Sequence, residues 1–312
     1  MNYFFSIIIP LYNKEDYIKD TLNSVFNQSF TDFEIIIVND GSTDASMSIV
    51  EQFKNEKIRV LQQKNQGVSV ARNNGILNAK GQYIALIDAD DIWYINHLEE
   101  LKKQIIQFPD AGLYCNNYEV YLDKNTKRKA KFNFEYKEEC LVVKDFFKAS
   151  IINSVAWTSA VAFTKHTFNA IGGFNTTLHT CEDLDLWLRL ALNYDVVFNP
   201  TITMSYKTYI TDSLTKNENN KVREAFLTNF SKAEQTNTSL KLYLDINRYA
   251  LAIRCKILKE NGIYSRIKAQ ILKENINYKQ RLLLKMPRVV LIISKKIQKT
   301  LVSKGIYLTA FK

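Results

Sequence analysis

The 312 residues are enough for one large α/β domain and an appendage, since domains usually hold about 100–200 residues. The composition, 46% hydrophobic and 24% charged with only 9 Gly and 4 Pro, is globular and excludes collagen-like or largely disordered chains. The net charge of +10 is concentrated in residues 241–312, which hold 17 Lys/Arg against 3 Asp/Glu, so any basic partner surface is expected there.

The four cysteines form no Cys-x-x-Cys spacing, and no secretory leader precedes Ser6. We therefore expect a cytoplasmic protein with reduced thiols at Cys115, Cys140, Cys181 and Cys255. No uncharged apolar stretch approaches the roughly 18–20 residues that a spanning helix needs, because the run Val289–Ile293 is closed off by Arg288 and Lys295. No transmembrane helix is expected.

The first 115 residues alternate short β-branched runs with stretches of helical spacing, which is typical of a parallel sheet joined by crossover helices. The predicted strands are Phe5–Ile9, Glu34–Val38, Ile58–Leu61, Tyr83–Ile87 and Leu113–Cys115. The predicted helices are Asp16–Asn27, Asp44–Phe53, Val68–Ala79 and Trp93–Phe108. Polar residues gather where strands end, which is where open α/β sheets bind ligands.

A polar stretch, Asn116–Glu139, is interpreted as variable strands and loops, and a second ordered region follows it to about Thr215. After Asn217 the apolar residues recur at helical intervals, which predicts a helical appendage. The sequence thus predicts one α/β domain over residues 1–215 and a basic helical region over residues 216–312.

Three clusters of acidic and amide side chains follow predicted strands, at Pro10–Glu15, Asn39–Asp44 and Asp88–Asp91. Taken singly, such a cluster is often only a turn and a helix N-cap, whose side chain accepts the first helix amides. Because parallel strands end at the same edge of a sheet, three clusters converging there favour a ligand site instead.

Asp88 and Asp90 follow the hydrophobic strand Tyr83–Ile87, and neighbouring carboxylates repel each other unless a cation or a donor joins them. Carboxylates completed by phosphate oxygens and water commonly hold Mg²⁺ or Mn²⁺. The sequence therefore predicts a divalent cation on Asp90 and Asp88, and the alternative is a pair of solvated loop carboxylates.

Six segments, in order over about two-thirds of the chain, resemble the successive blocks of family 2 glycosyltransferases: Ser6–Asn13, Asn39–Asp44, Asn65–Asn73, Leu86–Asp91, Gly172–Phe174 and Glu182–Arg189. The resemblance implies a GT-A fold, an α/β fold with a Rossmann-like, mostly parallel central sheet flanked by helices, here with a C-terminal helical appendage. It also implies inverting transfer of a hexosyl or N-acetylhexosaminyl group from a nucleotide sugar to a hydroxyl acceptor.

The resemblance places the nucleotide-sugar site at the ends of the strands. Pro10, Tyr12 and Glu15 would border the base and ribose. Asp40 would accept a hydrogen bond from the uracil N–H, which favours a UDP donor. Arg72 would lie near the base or the diphosphate.

The resemblance also assigns the metal site. Asp88 would contact the ribose or the donor sugar, and Asp90 would bind Mn²⁺ or Mg²⁺, which offsets the charge that builds on the departing diphosphate. Many family members add a His from a Tyr-Arg-x-His segment, but here that segment reads Tyr206-Lys-Thr-Tyr209, and a phenol is a poor ligand for these ions. Either phosphate and water complete the coordination or His179 does, although such a His is otherwise an ordinary loop residue.

Asp183 matches the position of the family's catalytic base, in a Glu182-Asp183 pair that opens an amphipathic helix. In an inverting transfer one carboxylate takes the proton from the acceptor hydroxyl while its oxygen attacks in line, opposite the leaving UDP. Acidic residues in a first helical turn are also favoured by the helix dipole, which is the alternative explanation for Glu182 and Asp185.

Other protein classes fit the sequence less well. A dinucleotide-binding dehydrogenase would show Gly-x-Gly-x-x-Gly where this chain has Pro10–Asn13, and a sugar nucleotidyltransferase would open with a Gly-rich basic loop that is absent here. A catalytically silent GT-A binding module docked on a membrane glycan-assembly complex stays open. The retained acidic residues favour an enzyme: Asp40, Asp88, Asp90 and Asp183.

An amphipathic helix is predicted from Pro287. Its basic side would hold Arg288, Lys295, Lys296 and Lys299, and its apolar side Val290, Ile293, Ile297 and Leu301. Such a helix would hold the protein peripherally on the inner face of the cytoplasmic membrane, and packing against the catalytic domain is the alternative. Nucleic-acid binding is disfavoured, because Lys and Arg are interleaved with apolar residues rather than placed beside exposed aromatics.

The acceptor is expected to be a glycan or a lipid-linked molecule. Its specificity is expected from Asn116–Glu139 and from Val155–Phe163, neither of which contains a recognisable motif. Few Gly and abundant Lys, Asn and Ile fit an AT-rich bacterial genome and a role in synthesis of a surface polysaccharide, such as a capsule or an O-antigen.

Overall fold

A computed structural model of the protein describes residues 3–123, 125–210 and 219–303, with side chains as far as residue 298. The chain divides into two compact units, Met1–Lys216 and Asn217–Lys312, called unit 1 and unit 2 below. The predicted boundary at residues 215 and 216 and the predicted roles of the Lys299 and Leu301 side chains lie outside the described residues.

Unit 1 alternates strands and helices through much of its length. Its strands are β1 (Phe5–Leu11), β2 (Phe33–Asn39), β3 (Ile58–Gln62), β4 (Tyr83–Leu86), β5 (Ile92–Trp93), β6 (Leu113–Tyr121), β7 (Lys127–Lys129), β8 (Leu141–Val142), β9 (Val161–Thr164) and β10 (Val196–Lys207). Its helices are α1 (Ile18–Phe26), α2 (Ser46–Val50), α3 (Val68–Leu77), α4 (His97–Gln107), α5 (Phe146–Ala149), α6 (Lys165–Ala170) and α7 (Glu182–Asn193), with a 3-10 turn at Thr158–Ala160.

The strands form one sheet in the order β3-β2-β1-β4-β9-β6-β10-β5, with β7 paired to β6 and β8 to β10. β1 is parallel to β2 and β4, and β2 is parallel to β3, so these four strands end at one edge. β9 is antiparallel to both β4 and β6, and β6 is parallel to β10, so β6 and β10 end there too. We call this the carboxyl edge. Successive residues of β1 are fully buried, because both faces of its strand are covered.

The first four predicted strands are present, each within two residues of its predicted ends. The fifth is longer than predicted: β6 starts at Leu113 but continues past Cys115 to Tyr121. Its polar residues fall in the stretch interpreted from the sequence as variable strands and loops, and they are buried and paired. Gln104 Nε2 donates to Asn116 Oδ1 at 2.8 Å, and Asn117 Nδ2 donates to a backbone carbonyl at 3.0 Å.

The start of α4 also differs from the prediction. The helical pattern begins at Trp93, but the helix begins at His97. Ile92–Trp93 pairs with β10 as a short antiparallel strand, which removes these residues from the helix.

Unit 2 is helical, as predicted. Its helices are α8 (Asn220–Asn229), α9 (Thr238–Leu258), α10 (Asn261–Ala269), α11 (Tyr278–Lys285) and α12 (Arg288–Ser303). α12 starts directly after Pro287, and it buries Leu291 while Ile293 and Ile297 are 52% and 53% exposed. In the part of the chain that the structure describes, no helix is both long and apolar enough to span a membrane.

Candidate active site

The loops that follow β1 and β2 are tied together at the carboxyl edge. Glu15 Oε2 accepts a hydrogen bond from Ala45 N at 2.7 Å, and Glu15 N donates to Asp44 Oδ2 at 3.0 Å. Lys14 N donates to Ser46 Oγ at 2.7 Å. The carboxylate of Glu15, predicted to border the ribose, therefore serves first to fix the start of α2.

Pro10 and Tyr12 flank the end of β1. Pro10 is half-buried, whereas Tyr12 is 46% exposed. The Tyr12 ring therefore faces solvent at the carboxyl edge, where the family resemblance places the nucleotide base.

Asp40 is buried and organises the loop before α3. Its Oδ1 accepts from Gln63 Nε2 at 2.7 Å and from Gln66 N at 2.8 Å, and its Oδ2 accepts from Gly67 N at 2.9 Å. The next residue, Gly41, has φ +76°, and a Cβ there would lie 3.0 Å from a backbone nitrogen of the same loop. A contact of Asp40 with uracil stays a prediction, and its observed contacts position the loop.

Arg72 joins two acidic residues from different parts of the chain. Its Nη2 donates to Asp88 Oδ1 at 2.7 Å and its Nη1 donates to Glu182 Oε1 at 2.8 Å. The guanidinium is buried, and the charges of Asp88 and Glu182 raise its pKa against the opposing effect of burial. Its carbon Cζ also lies 5.3 Å from the ring centroid of Phe174. Arg72 is thus a permanently charged link between the turn after β4, Asp88–Asp91, which we call the acidic turn, and the start of α7.

Asp90 forms an ion pair with Lys14, a residue to which the sequence motifs assign no role in the site. Lys14 Nζ lies 2.7 Å from Asp90 Oδ2, and each side chain is 17% exposed. Burial raises the pKa of Asp90 and the charge of Asp88 raises it further, while Lys14 acts in the opposite direction. The acidic turn is therefore short of positive charge even with Lys14 in place.

A second lysine lies near the same turn. Burial raises the pKa of Asp91 well above its ordinary value, the two neighbouring aspartates raise it further, and Lys207 offsets part of this effect. Lys207 Nζ is 5.8 Å from the ring centroid of Tyr17, and Lys14 Nζ is 5.9 Å from the same centroid. Two lysine side chains therefore approach the Tyr17 ring beside the acidic turn.

The 3-10 turn before β9 connects the acidic turn to the predicted base. Thr158 Oγ1 donates to Asp183 Oδ2 at 3.1 Å, and Asp88 N donates to Ser159 Oγ at 3.0 Å. The other oxygen of Asp183, Oδ1, accepts from Leu184 N at 2.7 Å. Asp183 is half-buried, so its carboxylate is fixed by two donors while part of the side chain faces solvent.

The start of α7 sets the direction of the acidic pair. Cys181, which precedes the helix, has φ +64°, a left-handed conformation that costs a non-glycine residue about 1–2 kcal/mol. Glu182 then turns inward to Arg72, and burial, with the neighbouring charge of Asp183, raises the pKa of Glu182 to about 7. Glu182 and Asp183 therefore have different environments, one buried and one half-open.

Two carboxylates fit a divalent cation. Asp88 and Asp90 are 34% and 17% exposed, and carboxylate oxygens are the ligands that Mg²⁺ and Mn²⁺ prefer. Within the described ranges, no three His, Cys, Asp or Glu side chains are grouped so as to hold a metal, and His179 is an exposed loop residue that does not join the two aspartates. Tyr209 is half-buried two residues after β10. Beside Asp88 and Asp90, the described part of the chain thus leaves the further coordination of a cation to phosphate oxygens and water.

The sequence motifs miss four residues that the structure brings to this site: Lys14, Thr158, Ser159 and Lys207. Lys207 had a signal, because it stands at the arginine of the family's Tyr-Arg-x-His segment. Thr158 and Ser159 lie outside every motif, and only the antiparallel pairing of β9 with β4 brings their turn to the carboxyl edge.

The fold is shared with solved structures. TarS of S. aureus, residues 1–349, aligns with a TM-score of 0.65 at 20% sequence identity, over 99% of this chain and 93% of that chain. The same protein has been solved in complex with UDP-GlcNAc. At this identity the likeness shows the fold, which is a GT-A fold with C-terminal helices, as the sequence predicts.

The sequence comparisons define the family. The profile described as "Glycosyl transferase family 2" matches residues 6–168, which is more than half of the chain. The chain therefore belongs to glycosyl transferase family 2.

Two curated relatives are similar over part of their length. Glycosyltransferase GlyG of Streptococcus pneumoniae is 34% identical over 177 residues, which cover 55% of this chain and 57% of GlyG. The putative teichuronic acid biosynthesis glycosyltransferase TuaG of Bacillus subtilis is 32% identical over 188 residues, which cover 59% of this chain and 71% of TuaG. The match to GlyG thus spans little more than half of that protein's length.

Proposed function

We propose that the chain is an inverting glycosyltransferase that moves a sugar from a UDP donor to a hydroxyl acceptor in the synthesis of a bacterial surface polysaccharide. The observation that carries the proposal is the carboxylate of Asp183, half-open to solvent and fixed by Thr158 beside the Arg72 link. The UDP-GlcNAc complex of TarS supports the choice of UDP, and the printed name of TuaG supports a surface polysaccharide.

Asp183 acts as the general base in this proposal. Its two hydrogen bonds hold the carboxylate in one orientation, which favours proton transfer from an acceptor hydroxyl in a near-attack geometry. Glu182, although adjacent, is buried against Arg72 and is unsuited to that role. It positions Arg72, which also donates to Asp88 in the acidic turn.

Lys14 and Lys207 add positive charge where the diphosphate would leave. Electrostatic groups that are fixed before the reaction stabilise developing charge without reorganisation. Asp88 and Asp90 would hold Mn²⁺ or Mg²⁺, which would supply further positive charge to the leaving diphosphate. The same site therefore has two sources of leaving-group stabilisation, basic side chains and a cation.

A thermal-shift screen of nucleotide sugars tests the donor. UDP-sugars should raise the melting temperature, with about 2.7 kcal/mol of added stability at a concentration of 100 Kd, whereas GDP- and CDP-sugars serve as matched controls. The shift should grow with Mn²⁺ in the wild type, and Asp90→Ala should lose that increment. Equal shifts with UDP- and GDP-sugars would contradict the UDP assignment. A shift that EDTA does not change would show that donor binding depends on the basic side chains and not on a divalent cation.

We also propose that α12 holds the protein on an anionic membrane surface. Its exposed apolar residues include Val289 and Val290, at 63% and 40% exposure, in addition to Ile293 and Ile297. Lysines follow in the same helix, and basic residues near anionic lipids contribute about 1 kcal/mol each. Membrane attachment would bring a lipid-linked acceptor to the enzyme.

Point substitutions test this surface better than truncation, because Leu291 of α12 is buried. Replacing Ile293 and Ile297 with Ser should weaken binding to anionic liposomes by about 10-fold or more, since two half-exposed apolar side chains no longer enter the interface. Leu77 and Ile106, which are exposed in unit 1, provide the matched double Ser variant. Equal sedimentation of the two double variants would overturn the membrane proposal.

A further inference from the structure

Three aromatic residues, Tyr118, Trp157 and Tyr206, form a cluster to which the motifs assign no role. The Trp157 ring centroid lies 5.1 Å from that of Tyr118 and 4.5 Å from that of Tyr206. Tyr118 is buried and its hydroxyl donates to Ser154 O at 3.0 Å, whereas Trp157 and Tyr206 are only half-buried. The cluster thus has a fixed base in the core and two residues that are partly exposed.

The cluster lies beside the predicted catalytic base. Trp157 directly precedes Thr158, whose hydroxyl donates to Asp183. Tyr118 and Tyr206 lie near the ends of β6 and β10, which are parallel and both finish at the carboxyl edge. The two half-buried residues therefore lie toward the same edge as Asp183.

Strand register separates these rings from the lysine side of the site. Tyr118 lies opposite Met204 in the β6–β10 pair, so their side chains are on the same face of the sheet. Tyr206 is two residues after Met204 in β10 and therefore shares that face. Lys207 is on the opposite face of β10 from Tyr206. The strands thus present an aromatic surface on one face and a basic group on the other.

We infer that Trp157 and Tyr206 form the acceptor subsite and stack against a pyranose ring, so that the reacting hydroxyl belongs to a sugar ring of a glycan. A pyranose has a face of C–H bonds made partly positive by the ring oxygens, and an aromatic face is negative, so the two attract. An open-chain polyol lacks such a flat face. This inference rests on the proposed transferase function and names the class of its acceptor.

The protein carries its own probe for this subsite. Of its three tryptophans, Trp93 and Trp187 are 2% and 1% exposed, whereas Trp157 is half-buried. A sugar ring that covers Trp157 should change its fluorescence emission. Titration with methyl glucoside, galactoside, mannoside and their N-acetylhexosamine counterparts, with UDP present, should give a saturable change that glucitol and galactitol do not.

Four variants assign the response. Trp157→Phe should abolish it, and Trp187→Phe should retain it. Tyr206→Ala should raise the apparent Kd for the pyranoside about 10-fold. Tyr206→Phe should keep the wild-type Kd, because the ring rather than the hydroxyl makes the stacking contact. The rise in melting temperature caused by UDP checks folding and donor binding in each variant.

Two results would overturn the subsite: no fluorescence change with any pyranoside, or an equal change in the wild type and Trp157→Phe. The donor screen distinguishes this failure from failure of the proposed function, because it depends on UDP-sugars alone. A normal UDP-sugar shift without a pyranoside response would refute the acceptor subsite and leave the transferase proposal standing.

Discussion

Two clusters of ion pairs, one in each unit, differ in how completely their charges are satisfied. In unit 2 the cluster consists of Glu234, Lys241, Asp245 and Arg248. Asp245 is fully buried, and its Oδ1 accepts from Lys241 Nζ at 2.6 Å and Arg248 Nη1 at 3.0 Å. Its Oδ2 accepts from Asn275 Nδ2 at 2.8 Å and from a backbone nitrogen at 3.1 Å. Every oxygen of Asp245 is therefore occupied.

The site in unit 1 has the opposite balance. Five carboxylates meet three cations there within the described residues: Asp88, Asp90, Asp91, Glu182 and Asp183 against Lys14, Arg72 and Lys207. Several of these side chains are half-open to solvent. A buried cluster with balanced charges stabilises the packing around α9, whereas an unbalanced and open one is suited to binding a cation or reacting with a substrate.

Asp245→Ala should have the largest effect on stability. It leaves Arg248 and Lys241 with Glu234 as their single carboxylate partner and removes the acceptor of Asn275, so the free energy of unfolding should fall by about 3 kcal/mol. Asp90→Asn in the site is the matched variant, and it should cost about 1 kcal/mol or less because it relieves crowding among carboxylates. Urea unfolding of both full-length variants measures the difference, and similar losses of stability would break the distinction between the two clusters.

Glu182 offers a smaller, pH-dependent test. Its pKa rises from 4.5 in the unfolded chain to about 7 in the fold, so the folded state binds the proton more tightly. The stability that this gives is fully present below pH 4.5 and is lost as the pH rises toward 7. The melting temperature of the wild type minus that of Glu182→Gln should therefore decrease as the pH is raised from 4.5 to 7. A difference that is constant with pH would show that Glu182 is ionised throughout.

The sequence predicts the parallel half of the sheet and most of the acidic side chains at its carboxyl edge. Continuous apolar runs such as Ile7–Ile9 identify buried strands, and the residues that follow them are necessarily brought to one edge. Asp88 and Glu182 do lie together there, joined through Arg72.

The rest depended on pairing between distant segments. The sequence does not separate the strand through Asn116 and Asn117 from the surrounding strands and loops, because a single sequence does not show that Gln104 and a backbone carbonyl satisfy these amides in the core. The sequence around Thr158 likewise does not predict its place at the site, which follows from the insertion of β9 between β4 and β6. Polar residues that are satisfied by tertiary contacts have no local signature.

The most direct test of the proposed function is Asp183→Asn. UDP release from the preferred UDP-sugar, with a methyl pyranoside acceptor, should fall by about 10²- to 10⁴-fold, because the amide keeps the shape of the side chain but cannot accept the proton. The apparent affinity for UDP, measured by the rise in melting temperature, should stay within a few-fold of the wild type. Asp195→Asn, which changes an exposed carboxylate of the same unit, is the control and should retain transfer. Transfer at the wild-type rate by Asp183→Asn would contradict the account.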